Sequence, residues 1–413
     1  MKPRVPERRA GALVACVWLV YMVSYLGRYN FGAAIGAMVD AGALSRSDAG
    51  VITSLFFFAY MVCQSPSAFV LRQFDPARVI GFGLALSAAA NAALPFCPVP
   101  LVRLVWLING GVQSALWPAT VRVLTERLPE SRVMRAMTVI NTTTTVGTAL
   151  VYLVSAACLK WGVWRYAFLA PAAILFAAAL AWLYAMRCID GEPPDHPEHQ
   201  DAAAEPPSLT SRKPFAPVAG LITLPFLAML LLAVVNGFIR DGVTTWLPTY
   251  VQDNFQISSA AAVFLSVIIP AAQTVGPFLA QRTYAVLKTH SVACAALYAA
   301  AFLSVLALAF PANRNLAAVC VCFTVCAVMI TALNTALVCF YPMEFKGRAA
   351  QVSSVVNTFV YVGSIAATGA FGFLADREGW RSVVMLLCAA IGAACLTCVV
   401  MALAARSKAG RRV

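Results

Sequence analysis

Tyr21-Met-Val-Ser-Tyr-Leu-Gly-Arg28-Tyr-Asn-Phe-Gly-Ala-Ala-Ile-Gly36 places one arginine near the middle of an apolar run long enough to cross a bilayer. A guanidinium at membrane depth costs roughly 2.5–3.5 kcal/mol even on the lenient insertion scale. It keeps its proton, so the cost cannot be escaped by neutralisation. Something has to face it, either a protein partner or an anion in a wet cavity. The arrangement returns in Asn236-Gly-Phe-Ile-Arg240-Asp-Gly-Val-Thr-Thr-Trp-Leu-Pro248. Arg28 stands 17 residues before Ser45 and Arg240 stands 18 before Ser258, and each serine opens the next apolar segment. The chain therefore reads as two halves in parallel repeat.

Composition agrees. The 413 residues are 61% hydrophobic and 11% charged, against about 25% charged for soluble proteins. An all-α integral membrane protein is expected, with twelve spans near 11–38, 48–71, 76–97, 101–125, 133–159, 163–187, 218–251, 257–283, 289–311, 313–342, 346–373 and 378–405. The first span follows Lys2, Arg4, Arg8 and Arg9 but is too long for a signal peptide, so it is expected to be retained. With both termini cytoplasmic, inner segments hold 21 of the 30 Lys and Arg and outer loops seven, which satisfies the positive-inside rule. The net charge of +13 is thereby explained without nucleic acid as a partner. Residues 188–217 carry seven prolines and six acidic residues and no apolar period, as a cytoplasmic linker would. The expected organisation is a six-helix bundle over 1–187, this linker, and a second six-helix bundle over 218–413.

Polar residues at helical spacing extend the two arginines into a site. Tyr25 shares the face of Arg28, while Asn236 and Thr244 share that of Arg240. Tyr60 and Gln64 are one turn apart on the second span, and Gln113 and Trp117 on the fourth. Asn141 and Thr144 lie on the fifth span, Asn357 and Tyr361 on the eleventh. Asp241 is the one acid placed well within a span, and as the immediate neighbour of Arg240 it is expected to point about 100° away. Two fixed positive charges against one acid describe an anion site. Ser, Thr and Asn also join transmembrane helices to one another, so the polar stripes read either way. Catalysis has little to stand on, with no Ser-His-Asp set, no paired carboxylates in the membrane and no phosphate loop. No metal and no cofactor are expected. Thirteen cysteines fall mostly inside apolar segments and read as small core residues.

These residues resemble the major facilitator superfamily, and within it the organophosphate:phosphate antiporters that include bacterial glycerol-3-phosphate and hexose-phosphate transporters. The resemblance rests on Tyr25-Leu-Gly-Arg28-Tyr-Asn-Phe, Gln113-Ser-Ala-Leu-Trp117-Pro, Arg240 through Trp246-Leu-Pro-Thr-Tyr250, and Gly372-Phe-Leu-Ala-Asp376-Arg-Glu-Gly-Trp380. It implies a rocker-switch exchanger of the inner (plasma) membrane, working as a monomer. In it the two arginines grip phosphate, the tyrosines Tyr25, Tyr60 and Tyr361 line the cavity, and Gln113 lines it too. The sequence departs from the glycerol-3-phosphate transporter at Gln64 and Tyr29, which stand where it has lysines, and at Thr144, where it has histidine. The cavity is thus less basic, and a small organic anion or phosphate is the expected partner besides the lipid bilayer. Two other readings stay open. A proton-coupled carboxylate symporter of the anion:cation family would favour an acid where Gly27 stands, and a transporter-like receptor would bind a sugar phosphate and signal to a partner.

Overall fold

A computed structural model describes residues 7–190, 223–287, 289–309, 315–345 and 348–410, and among these it has twelve helices long and apolar enough to cross a membrane. They are α1 Arg9–Asp40, α2 Arg46–Gln64, α3 Pro76–Phe96, α4 Val99–Arg127, α5 Ser131–Leu159, α6 Tyr166–Ile189, α7 Leu224–Phe255, α8 Ser259–Leu287, α9 His290–Ala309, α10 Leu316–Glu344, α11 Gln351–Arg377 and α12 Trp380–Ala404. In α1–α6, α2 packs on α4, α3 on α6 and α1 on α5; in α7–α12, α7 packs on α11, α9 on α12 and α8 on α10. The serines that mark the repeat are helix caps. The Ser45 hydroxyl accepts from the Asp48 amide at the start of α2, and Ser258 accepts from Ala261 at the start of α8. Each satisfies one of the orphan donors of a first turn.

Several boundaries differ from the sequence reading. The sixth helix begins at Tyr166 rather than 163, because Gly162 turns the chain with a φ of 73°, and it continues to Asp190, past the expected linker start. The seventh begins at Leu224, where the Thr223 hydroxyl caps Phe226 and Pro225 occupies the first turn, and it ends at Phe255 before left-handed Gln256. The rest of the expected linker, 191–217, lies outside the described residues. Four spans are also interrupted. The first leaves the α form between Ser24 and Asn30, the fourth at Ala115, and the eighth at Ser266–Val267 and Thr274–Val275. The tenth passes through a π turn, Ala336–Phe340. Among the described residues the cysteines are free thiols.

The two halves meet at the end away from the chain termini. Gly50 lies against the Thr368 carbonyl, so α2 and α11 touch backbone to backbone. Ser54 Oγ donates to the Ile365 carbonyl at 2.8 Å, and Tyr152 Oη on α5 donates to the Thr244 carbonyl on α7 at 2.6 Å. Arg46 closes this end, donating from Nε and Nη2 to Asp253 Oδ2 and standing 3.7 Å from Asp376. Partly exposed ion pairs contribute about 0.2–1 kcal/mol each, so Arg46→Gln should open the far end several-fold more often. In a chain whose native cysteines are replaced, a cysteine at Phe57 should then react several-fold faster with a membrane-impermeant maleimide applied from that side. An unchanged rate would show that the backbone contacts alone hold this end.

Candidate anion-binding site

Arg28 owes its position to the break in α1. Residues Tyr25–Gly27 form one 3₁₀ turn and the helix resumes at Asn30. The Arg28 amide consequently bonds to the Tyr25 carbonyl instead of that of Ser24. Carbonyls released in this way must find donors inside the membrane. Helix α4 supplies them: Asn109 Nδ2 donates to the Gly27 carbonyl at 2.8 Å, and Gln113 Nε2 donates to the Ser24 carbonyl at 3.2 Å. Ser87 of α3 ties the two amides together, accepting from Gln113 and donating to Asn109 Oδ1. Gly27 is required here, since a Cβ at that position would lie 2.5 Å from Ser87 Oγ. Asn109→Leu should cost about 1–3 kcal/mol through the unpaired carbonyl, read as a lower unfolding temperature of the detergent-solubilised protein. No change would mean that the break holds without α4.

From this turn the Arg28 side chain enters a cluster of tyrosines. Its guanidinium carbon lies 5.2 Å from the Tyr25 ring centroid and 4.7 Å from that of Tyr60. Cation–π contact offsets part of the cost of desolvation. The Nε and Nη2 atoms are buried and have no hydrogen-bond partner among the described residues. Tyr25 Oη is 2.9 Å from Thr144 Oγ1, and Thr144 is itself exposed, so accessible surface reaches the edge of the cluster. Tyr60 packs on Tyr361 across the two halves, ring centroids 5.1 Å apart. Tyr29 and Tyr361 each lie within reach of the charges of both Arg28 and Arg240.

Arg240 sits in unbroken helix, and its surroundings overturn one expectation. Asp241 does not point away. Arg240 Nε donates to Asp241 Oδ1 at 3.1 Å and Nη2 to Oδ2 at 2.7 Å, while Nη1 reaches Asn334 Oδ1 at 3.3 Å. The Cβ directions do diverge, but the long arginine stem curls back across them. Asp241 is almost fully buried, and Ser364 of α11 also donates to its Oδ2. Glycines allow that approach: a Cβ on Gly237 would collide with the Val360 carbonyl, and one on Gly363 with the Val234 carbonyl.

The remaining expected residues divide. Tyr25, Tyr60, Tyr361 and Thr144 gather around Arg28. Gln64 is partly exposed one turn beyond Tyr60, Asn141 is exposed one turn from Thr144, and Asn357 is half-buried one turn from Tyr361. Trp117 packs on Tyr21, centroids 5.2 Å apart. Gln113 is the departure, for it is fully buried with its amide nitrogen committed to Ser24 and Ser87, so it supports the turn that carries Arg28. The sequence reading passed over Ser364 altogether. Its spacing of seven from Asn357 was the available signal.

Twelve apolar helices among the described residues, with α1–α6 and α7–α12 each packed among themselves, make a membrane-spanning fold. The chain belongs to the Major Facilitator Superfamily, whose family model matches residues 17–368. It is accordingly a multi-pass inner-membrane protein. A membrane sensor protein, UhpC of Escherichia coli (strain K12), is 30% identical over 155 residues, 37% of this chain and 35% of UhpC. A probable hexose phosphate transport protein of Chlamydia trachomatis serovar D is 25% identical over 159 residues, 38% of this chain and 35% of that protein. The chain thus matches about a third of the length of these curated relatives. In fold it is similar over 97% of its length to 96% of a bacterial homologue of the human lysosomal transporter Spinster, inward-facing and unoccupied, with a TM-score of 0.71 at 15% identity.

Proposed function

We propose that this transporter is a secondary carrier for a small organic anion, phosphate esters exchanged for phosphate being the leading class, and that it works by rocker-switch alternating access with both termini cytoplasmic. The observation that carries the reading is Arg28, a half-buried cation whose Nε and Nη2 are buried and have no hydrogen-bond partner among the described residues. A guanidinium fork in that state matches two oxygens of a phosphate or carboxylate. The hexose phosphate relative supports the phosphate class. Arg240, Tyr25, Tyr60 and Tyr361 are proposed to complete the site, with Gln64, Asn141, Thr144 and Asn357 along its wall. The test is counterflow in liposomes: purified protein loaded inside with phosphate should accumulate a labelled hexose phosphate. Absence of flux with intact binding would favour a second reading, a transporter-like receptor, which the similarity to a membrane sensor supports.

Asp241 bears on the coupling. Its ion pair with Arg240 gives that arginine a partner without any proton entering the cycle, which suits exchange. Asp241→Asn is therefore expected to retain anion-for-anion counterflow, and a pH gradient alone should drive little net uptake into wild-type vesicles. Strong uptake driven by a pH gradient, lost in Asp241→Asn while counterflow survives, would identify a proton symporter instead.

A further inference from the structure

The two guanidinium groups differ in what their forks hold. Arg240 turns its Nε–Nη2 edge onto both oxygens of Asp241. On Arg28 the same two nitrogens are buried and have no partner among the described residues, while its guanidinium carbon lies over the rings of Tyr25 and Tyr60. With the rings close to the guanidinium carbon, the Nε–Nη2 edge is the unpaired donor set left for an oxyanion. The Arg240–Asp241 pair displays the geometry such an approach would have.

We propose that Asp241 neutralises Arg240 from within, so that the site offers the ligand's oxyanion a net charge equal to that of Arg28 and selects a group of single negative charge. The inference rests on the organic-anion reading above and deepens it: the preferred form of a phosphate ester is the monoanion. The charges of Arg28, Arg240 and Asp241 sum to one net positive. The other groups around them, Tyr29 and Tyr361 within electrostatic reach of both arginines and Asn334 and Ser364 bonded to the pair, carry no charge. A dianion would bring a second negative charge to a desolvated site that already holds the Asp241 carboxylate, and like charges there repel strongly. Asp241 thereby becomes a specificity-determining residue that need not touch the ligand.

The experiment compares a hexose phosphate monoester with its methyl diester, by thermal shift of the purified full chain at pH 6 and pH 8. The monoester's second pKa is about 6, so its monoanion falls from roughly half of the total to roughly one part in a hundred. Its half-saturating concentration should therefore rise about 50-fold, whereas the diester, singly charged throughout, should hold its affinity. In Asp241→Asn, with one more free positive charge, the rise for the monoester should flatten or reverse. Equal or tighter binding of the monoester at pH 8 by the wild type would overturn the inference, as would a parallel loss for the diester, or an undiminished 50-fold rise in Asp241→Asn. The two wild-type comparisons decide the matter even where the variant fails to fold. Binding of neither ester at either pH would overturn the phosphate reading along with this one, whereas binding that favours the dianion overturns the charge selection alone.

Discussion

Arg28→Lys is expected to abolish uptake while leaving expression and membrane insertion intact. Lysine keeps the charge but presents a point instead of a planar fork. It also forfeits stacking against the rings of Tyr25 and Tyr60, which now lie near the guanidinium. Losing one charge-assisted bond of a bidentate pair removes about 1.5–3 kcal/mol, or roughly 10- to 150-fold in affinity. Misplacement of the remaining charge adds to that. Arg240→Lys should abolish uptake too, for a different reason. Its ammonium cannot engage both Asp241 oxygens and Asn334 together, so a carboxylate beside Ser364 would be left part-paired in the membrane. Initial rates in proteoliposomes, normalised to inserted protein, decide both cases. Wild-type uptake by Arg28→Lys would remove the basis for assigning the site to it.

The second large effect concerns α7 and α11. Gly237 and Gly363 each face a carbonyl of the opposite helix at a distance no Cβ tolerates. Small residues permit such approach between membrane helices, and packing is what holds those helices together. Gly237→Ala is expected to lower stability by about 1–3 kcal/mol through forced separation. Gly237→Leu should leave no monodisperse protein after detergent extraction, read by size-exclusion chromatography. Because the same contact brings Ser364 to Asp241, whatever Gly237→Ala protein survives should also bind anions more weakly. A variant of wild-type stability and affinity would show that the helices have room to separate.

The spans were legible because they depend on a coarse signal. Apolar length predicts a span, and a buried cation stands out against it. The break at Tyr25–Gly27 was not legible, since no proline marks it. It depends on Asn109 and Gln113, more than 80 residues away, being placed to receive the freed carbonyls. The same dependence explains why Gln113 read as a ligand-facing residue when its amide serves the backbone of α1. Asp241 illustrates a different limit. Helical periodicity reports where a Cβ points, and it says little about an arginine whose several rotatable bonds let its head fold back onto a neighbour.

The cluster that closes the far end has a consequence for how the surrounding medium acts on the protein. Arg46, Asp253 and Asp376 remain 26%, 17% and 22% exposed, and Trp380 adds an indole hydrogen bond to Asp253. Both acids of this cluster are wet, whereas the Asp241 carboxylate in the interior is 2% exposed. Counter-ions screen such pairs with a Debye length of about 8 Å at physiological ionic strength and about 3 Å at 1 M salt. Salt on that side of the membrane should therefore loosen the closure more than it weakens the Arg240–Asp241 pair, whose carboxylate is buried. Under the proposed alternating access, the balance between the two faces is thus set partly by the electrolyte bathing that end, independently of any gradient of the transported solute.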